Sequence, residues 1–231
     1  MFAAILNHPQ EPTSSIRYFK TKGNMRTHNK ETQSSLTPDK ALAILKEGND
    51  RFVNNLKANR NLLQQVNETS AGQFPFATIL SCIDSRTSAE LIFDQGLGDV
   101  FSIRVAGNIL NEDILGSMEF ATKIAGTKII VVLGHTKCGA IAGACNHVEL
   151  GNLTTLLNKI QPAIDHETTT KENRNGSNPE FVKNVTALNV TLTIERIRKE
   201  SPVVVELEKE GKIKIIGGMY EVETGKVTFY E

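Results

Sequence analysis

Five consecutive aliphatic residues, Ile129-Ile130-Val131-Val132-Leu133, constrain the fold of this chain more than any other segment. An unbroken apolar run of strand length suits a parallel sheet covered on both faces. The spacing predicts a strand over 127–133, with others over 76–81, 100–105 and 213–217 and a final edge strand over 227–230. Helical patterns lie between them. Asn111 caps one that carries Ile114, Leu115, Met118 and Ala121 and ends at Gly126. Further helices are expected over 87–95, 139–147, 153–164, 181–199 and 202–210, with a polar surface loop over 166–179.

Alternating β and α units predict an α/β fold. Its centre is a mostly parallel β-sheet flanked by helices, with an N-terminal helical arm and a C-terminal edge strand. Order begins at Thr37-Pro38-Asp39, an N-cap followed by proline at N1 and an acid in the first turn. A helix runs from there to about residue 55, and a second covers 60–67. Residues 1–36 are polar and aperiodic, and read as a flexible arm. Within them Met25 is an alternative start. Residues 37–231 then form one domain, which suits a chain of 231 residues that is 39% hydrophobic.

The chain carries 26 basic and 26 acidic residues, so no global field draws it to nucleic acid or to an anionic membrane. No apolar run approaches the roughly 18 residues that span a bilayer. Three cysteines close no disulfide framework, and no secretory signal is visible, so the expected compartment is the reducing cytoplasm.

Two short strings carry the chemistry. Cys82-Ile83-Asp84-Ser85-Arg86 directly follows the first predicted strand, and His135-Thr136-Lys137-Cys138 follows the third. Ligands of open α/β sheets gather outside the carboxyl ends of the strands, so both strings are expected at one edge. Two thiolates and an imidazole form a zinc ligand set, and three protein ligands leave a fourth position open. Cys138 sits at a loop-to-helix junction, where the helix N-terminus favours a thiolate. Cys145 has no second ligand at useful spacing and reads as core filler. Asp84 either takes the fourth zinc position or accepts a hydrogen bond from zinc-bound water, with Arg86 holding it ionised and oriented.

With these residues in place, the chain resembles the β-class carbonic anhydrases from Thr37 to Tyr230. The matching pieces are Leu45-Lys46-Glu47-Gly48-Asn49-Asp50-Arg51-Phe52, Ser81–Arg86, Arg104-Val105-Ala106-Gly107-Asn108 and Gly134–Ala140, with Ser201-Pro202-Val203 near the end. The resemblance implies reversible hydration of CO2 to bicarbonate by a zinc-bound hydroxide. It implies one Zn2+ per chain on Cys82, His135 and Cys138, and a catalytic dyad of Asp84 and Arg86. It implies a substrate pocket at Gln73, Phe101, Ala106, Gly107 and Phe120, the last replacing a frequent tyrosine. It also implies a homodimer or tetramer, with residues 37–55 at an interface. Some bacterial relatives bind regulatory bicarbonate through a tryptophan, an arginine and a tyrosine; here those positions are Ile79, Arg104 and Phe120, so an open site is expected. Two rival functions are a hydrolase of CS2 or COS on the same site and a non-catalytic zinc-binding scaffold.

Overall fold

The computed structural model describes residues 25–230. Their centre is a five-stranded sheet in the order β2-β1-β3-β4-β5. The strands are β1 (Ala77–Ser81), β2 (Val100–Arg104), β3 (Ile129–His135), β4 (Lys214–Tyr220) and β5 (Val227–Phe229). The first four are parallel, and β5 returns antiparallel along β4. The aliphatic run forms most of β3, the middle strand, and every residue of β3 is buried. Each face of the sheet needs its own cover. Leu80, Cys82, Ile130 and Val132 share one core with α5 (Glu112–Glu119), α6 (Gly139–Cys145), α9 (Pro179–Glu200) and α10 (Pro202–Lys209). Ala77, Ile79, Ile129, Val131 and Leu133 share the other with α2 (Pro38–Val53) and α4 (Ala89–Ile92).

The order of the strands positions the site. From β1 the chain crosses to β2 on one side, then returns to place β3 on the other. The carboxyl ends of β1 and β3 therefore flank a topological switch point, where the crossovers leave in opposite directions and open a crevice. Ser81 pairs in register with Leu133, so Cys82 emerges level with Gly134, one residue before His135. A Cβ on Gly134 would come within 2.8 Å of Val190 Cγ2 and 3.0 Å of Thr186 Cγ2, so α9 can lie close against this end of β3.

Several boundaries differ from the sequence expectation. His135 lies inside β3 rather than after it, because it pairs with Tyr220 of β4. The helix expected over 153–164 is two, α7 (Gly151–Leu157) and α8 (Gln161–His166), the second opening with Pro162. Proline lacks the N–H that would continue the first. Part of the segment expected to be an arm, residues 25–36, is ordered against the domain. Residues 1–24 lie outside the described residues, whereas α1 (Lys30–Ser34) is capped by Asn29 and packs on the domain. Gln33 is buried, and its amide donates to Pro75 O at 2.6 Å and Ala125 O at 2.8 Å. A polar side chain with two long-range acceptors has no periodicity to reveal it. Asn49 of α2 is likewise spent inside the chain, donating to Ile92 O and Gly225 O and accepting from Val227 N.

Candidate metal centre and carboxylate fork

Cys82, His135 and Cys138 come together at the switch point. Their two Sγ atoms and one ring nitrogen all lie within 4.8 Å of one another, and all three residues are buried. The sulfurs are 4.0 Å apart, and the N–H of Gly107 donates to Cys82 Sγ at 3.3 Å. Gly107 adopts φ +66, a left-handed conformation that glycine takes freely, and this turns its amide towards the sulfur. Cys138 stands at the N-cap position of α6, with its sulfur making no capping hydrogen bond to the first turn.

His135 is held in one tautomer. Its Nδ1 lies 2.9 Å from Thr136 O, which can only accept, so Nδ1 carries the proton. Nε2 therefore offers a lone pair, yet it is buried without a hydrogen-bond partner. An orphaned buried acceptor costs about 1–3 kcal/mol. The facing thiols add a second unmet demand. The hydrogen bond from Cys138 pulls the Cys82 thiol down to about 4, and the same contact with burial pushes Cys138 far up. The pair gives up one proton easily and resists losing the second, because two thiolates in a dry pocket repel. The donor set fits zinc. Cys145 lies deep in the core, and burial pushes its thiol up to about 11, as expected of filler.

Beside this group the loop after β1 presents Asp84. Its carboxylate is gripped by Arg86: the backbone N–H and Nε donate to Oδ1, both at 2.9 Å, and Nη2 donates to Oδ2 at 2.7 Å. This two-pronged contact holds the Asp84 carboxyl far below the usual carboxylate range. The fork is itself anchored, with Arg86 Nη2 donating to Lys137 O at 3.3 Å, between the second and third members of the metal group in sequence.

Sequence reasoning missed what shapes this loop. Arg104, at the end of β2, donates from Nε to Cys82 O at 3.1 Å and from Nη2 to Asp84 O at 2.6 Å. Thr87 donates its hydroxyl to the same two carbonyls, each at 2.9 Å. The backbone of the metal ligand and of the carboxylate is thus fixed from two sides. No local signal predicts this, because Arg104 is 22 residues from Cys82.

The expected substrate pocket divides. Ala106 and Gly107 lie on a 3-10 turn beside Cys82. Phe101 and Phe120 meet edge to face at 6.2 Å in a different cleft of about 680 Å3, lined also by Ser102, Ile103 and Ser117. Phe101 sits three residues before the carboxyl end of β2, about 10 Å back along the strand. Gln73 is exposed and precedes the opposite end of β1 from Cys82. Within one chain these three residues do not join the metal group. Arg104 is committed to the site loop and Ile79 is fully buried, so neither stands as a free regulatory contact.

Comparison with known proteins agrees with this architecture. The carbonic anhydrase family model matches residues 77–227. Carbonic anhydrase 2 of Mycobacterium tuberculosis is 34% identical over 197 residues, covering 82% of this chain and 91% of that protein. The β-carbonic anhydrase CafA of Aspergillus fumigatus superposes with a TM-score of 0.65 at 26% identity, over 84% of this chain and 90% of that one. A tetrameric β-carbonic anhydrase of Sordaria macrospora shares the fold, with a TM-score of 0.61 at 24% identity, over 72% of this chain and 89% of that one. The extent of these matches makes the chain a carbonic anhydrase, an enzyme family whose general reaction is the hydration of CO2. Within that family it belongs to the β class.

Proposed function

We propose that this chain interconverts carbon dioxide and bicarbonate, with one zinc ion per chain held by Cys82, His135 and Cys138. The observation that carries the reading is the buried, partnerless Nε2 of His135 beside two cysteine sulfurs, with an ionised carboxylate in the adjoining loop. Zinc held there supplies a Lewis acid that lowers the pKa of water from about 15.7 towards 7. Asp84 accepts the hydrogen bond of the attacking water and aims its lone pair at the carbon. Arg86 keeps Asp84 ionised and turned into the fork, the open arrangement. Among the described residues the three-donor group contains no fourth thiol, imidazole or carboxylate, which favours an enzyme over a closed structural site. Water and CO2 give bicarbonate and one proton, which leaves to buffer.

A second copy of the chain would complete the pocket. Gln73 and the Phe101–Phe120 pair lie away from the metal group of their own chain, and Phe120 is 50% exposed. Ile83, between Cys82 and Asp84, is 59% exposed, and Leu91 and Leu97 are exposed as well. Large exposed apolar side chains are what a partner surface covers. Sedimentation should therefore give at least a dimer, and an active monomer would rule out a pocket shared between chains.

Among the described residues no helix is long and apolar enough to cross a membrane. A reducing compartment such as the cytoplasm suits the site, because two of the three free cysteines must remain thiolates. The deciding experiment is stopped-flow CO2 hydration before and after metal removal, with COS and CS2 assayed alongside. Hydration should vanish on chelation and return with zinc. Turnover of COS or CS2 without CO2 hydration would overturn the reading.

A further inference from the structure

The two residues between His135 and Cys138 are both tied to one turn, 221–223, which joins β4 to β5. Thr136 is buried and makes contacts in three directions. Its N–H donates to Tyr220 O at 3.0 Å, its hydroxyl donates to Glu221 Oε1 at 2.6 Å, and the same hydroxyl accepts from Val222 N at 3.1 Å. Lys137, at φ +55, pairs its ammonium with Glu223 Oε1. Glu223 N and Thr136 Oγ1 converge on the same oxygen of Glu221, the former at 3.4 Å. The turn is closed by Glu221 N to Lys226 O at 2.9 Å and Gly225 N to Glu221 O at 2.8 Å.

What this turn holds is the pair of carbonyls that serve the site. Thr136 O receives the Nδ1 proton of His135, and Lys137 O receives Arg86 Nη2. The first selects the tautomer that presents Nε2. The second supports the guanidinium that grips Asp84. A carbonyl that orients a metal-binding imidazole sets both the direction of its lone pair and its basicity. We propose that Glu221, acting through Thr136, is a positioning residue for the metal-binding imidazole, and that the 221–223 turn braces both His135 and Arg86 from outside the ligand set. The lone pair of His135 is thereby aimed from a turn whose Glu221 lies 85 residues beyond Thr136. Neither residue touches substrate.

The proposal rests on the reading that Cys82, His135 and Cys138 hold the metal. Its test uses the full chain, loaded with zinc for release kinetics and with Co2+ for absorption. Glu221→Ala and Thr136→Val should release zinc to excess chelator about tenfold faster than the parent. Their visible Co2+ bands, which report ligand geometry, should shift. Thr136→Ser keeps the hydroxyl and should restore parent release and bands. A merely structural brace would lower the unfolding temperature and leave the Co2+ bands in place, and that result overturns the proposal. Parent-like release in folded Glu221→Ala overturns it too; this half-buried residue decides the matter should Thr136→Val not fold. A parent chain that binds no stoichiometric zinc would instead sink the site reading itself, so the two failures are told apart.

Discussion

His135→Ala and Cys138→Ala should each yield a folded protein with less than about a tenth of the parent's zinc and no measurable CO2 hydration. Three donors within 4.8 Å leave none to spare. Removing one leaves two protein ligands, too few for a metal that takes four and keeps one for the reaction. The loss should show at the metal rather than in folding. The Cys138 sulfur is a small part of a large core, and its removal costs roughly the 1 kcal/mol of a methyl-sized cavity. Domain stability is typically about 5–15 kcal/mol, so that loss is tolerable. His135→Ala also removes a buried, partnerless nitrogen, and so relieves a strain of the metal-free chain. Zinc content by atomic absorption, read beside circular dichroism, separates the two effects. Parent-level zinc in either folded variant would remove that residue from the ligand set.

The parts of this molecule written in local periodicity were legible in its sequence. Thr37, Pro38 and Asp39 announce the start of α2, and Thr37 does accept from Lys40 N. The aliphatic run gives the central strand. The two ligand strings could be placed at one edge because that needed only strand order and the direction of parallel strands. What stayed hidden depends on contacts between distant side chains. His135 belongs to β3 only because Tyr220 lies opposite. The helix expected over 87–95 contracts to 89–92 because Asp94 turns to φ +44 and gathers Arg51, Arg60 and Ala58 N around its carboxylate. Arg104 and Glu221 leave no mark on hydrophobic patterning, since each acts through a carbonyl or hydroxyl elsewhere in the chain. The pocket was the least legible part. The resemblance named five residues as one cavity, and a single chain divides them among three places.

Asp84→Ala should keep its zinc and lose about 100-fold or more in turnover. Asp84 is outside the buried three-donor group, so the metal does not depend on it. Its value lies in charge and aim. Arg86 donates to both carboxylate oxygens and holds the group ionised far below neutral pH. The carboxylate therefore remains a charged acceptor at neutral pH. The depressed carboxyl also fixes the sign of the stability effect. Its contribution is fully present above the ordinary carboxylate range and is lost only as pH falls towards the lowered folded value. Neutral pH is far above that window, so Asp84→Ala loses this contribution in full there, and its turnover is read on folded, zinc-loaded protein. A positioned acceptor for a reacting proton contributes about 10²–10⁴-fold to rate, and Asp84→Ala removes all of it. Asp84→Asn keeps the shape and one carbonyl acceptor but loses the charge, and should fall between parent and Asp84→Ala. Arg86→Met leaves the carboxylate in place without its fork. Its turnover should drop less than that of Asp84→Ala, because the acceptor survives while its aim is loosened. Stopped-flow turnover at constant zinc content ranks the three variants. If Asp84→Ala with full zinc keeps more than half of the parent's turnover, the carboxylate is only the structural partner of Arg86, and the reacting water is oriented by other groups.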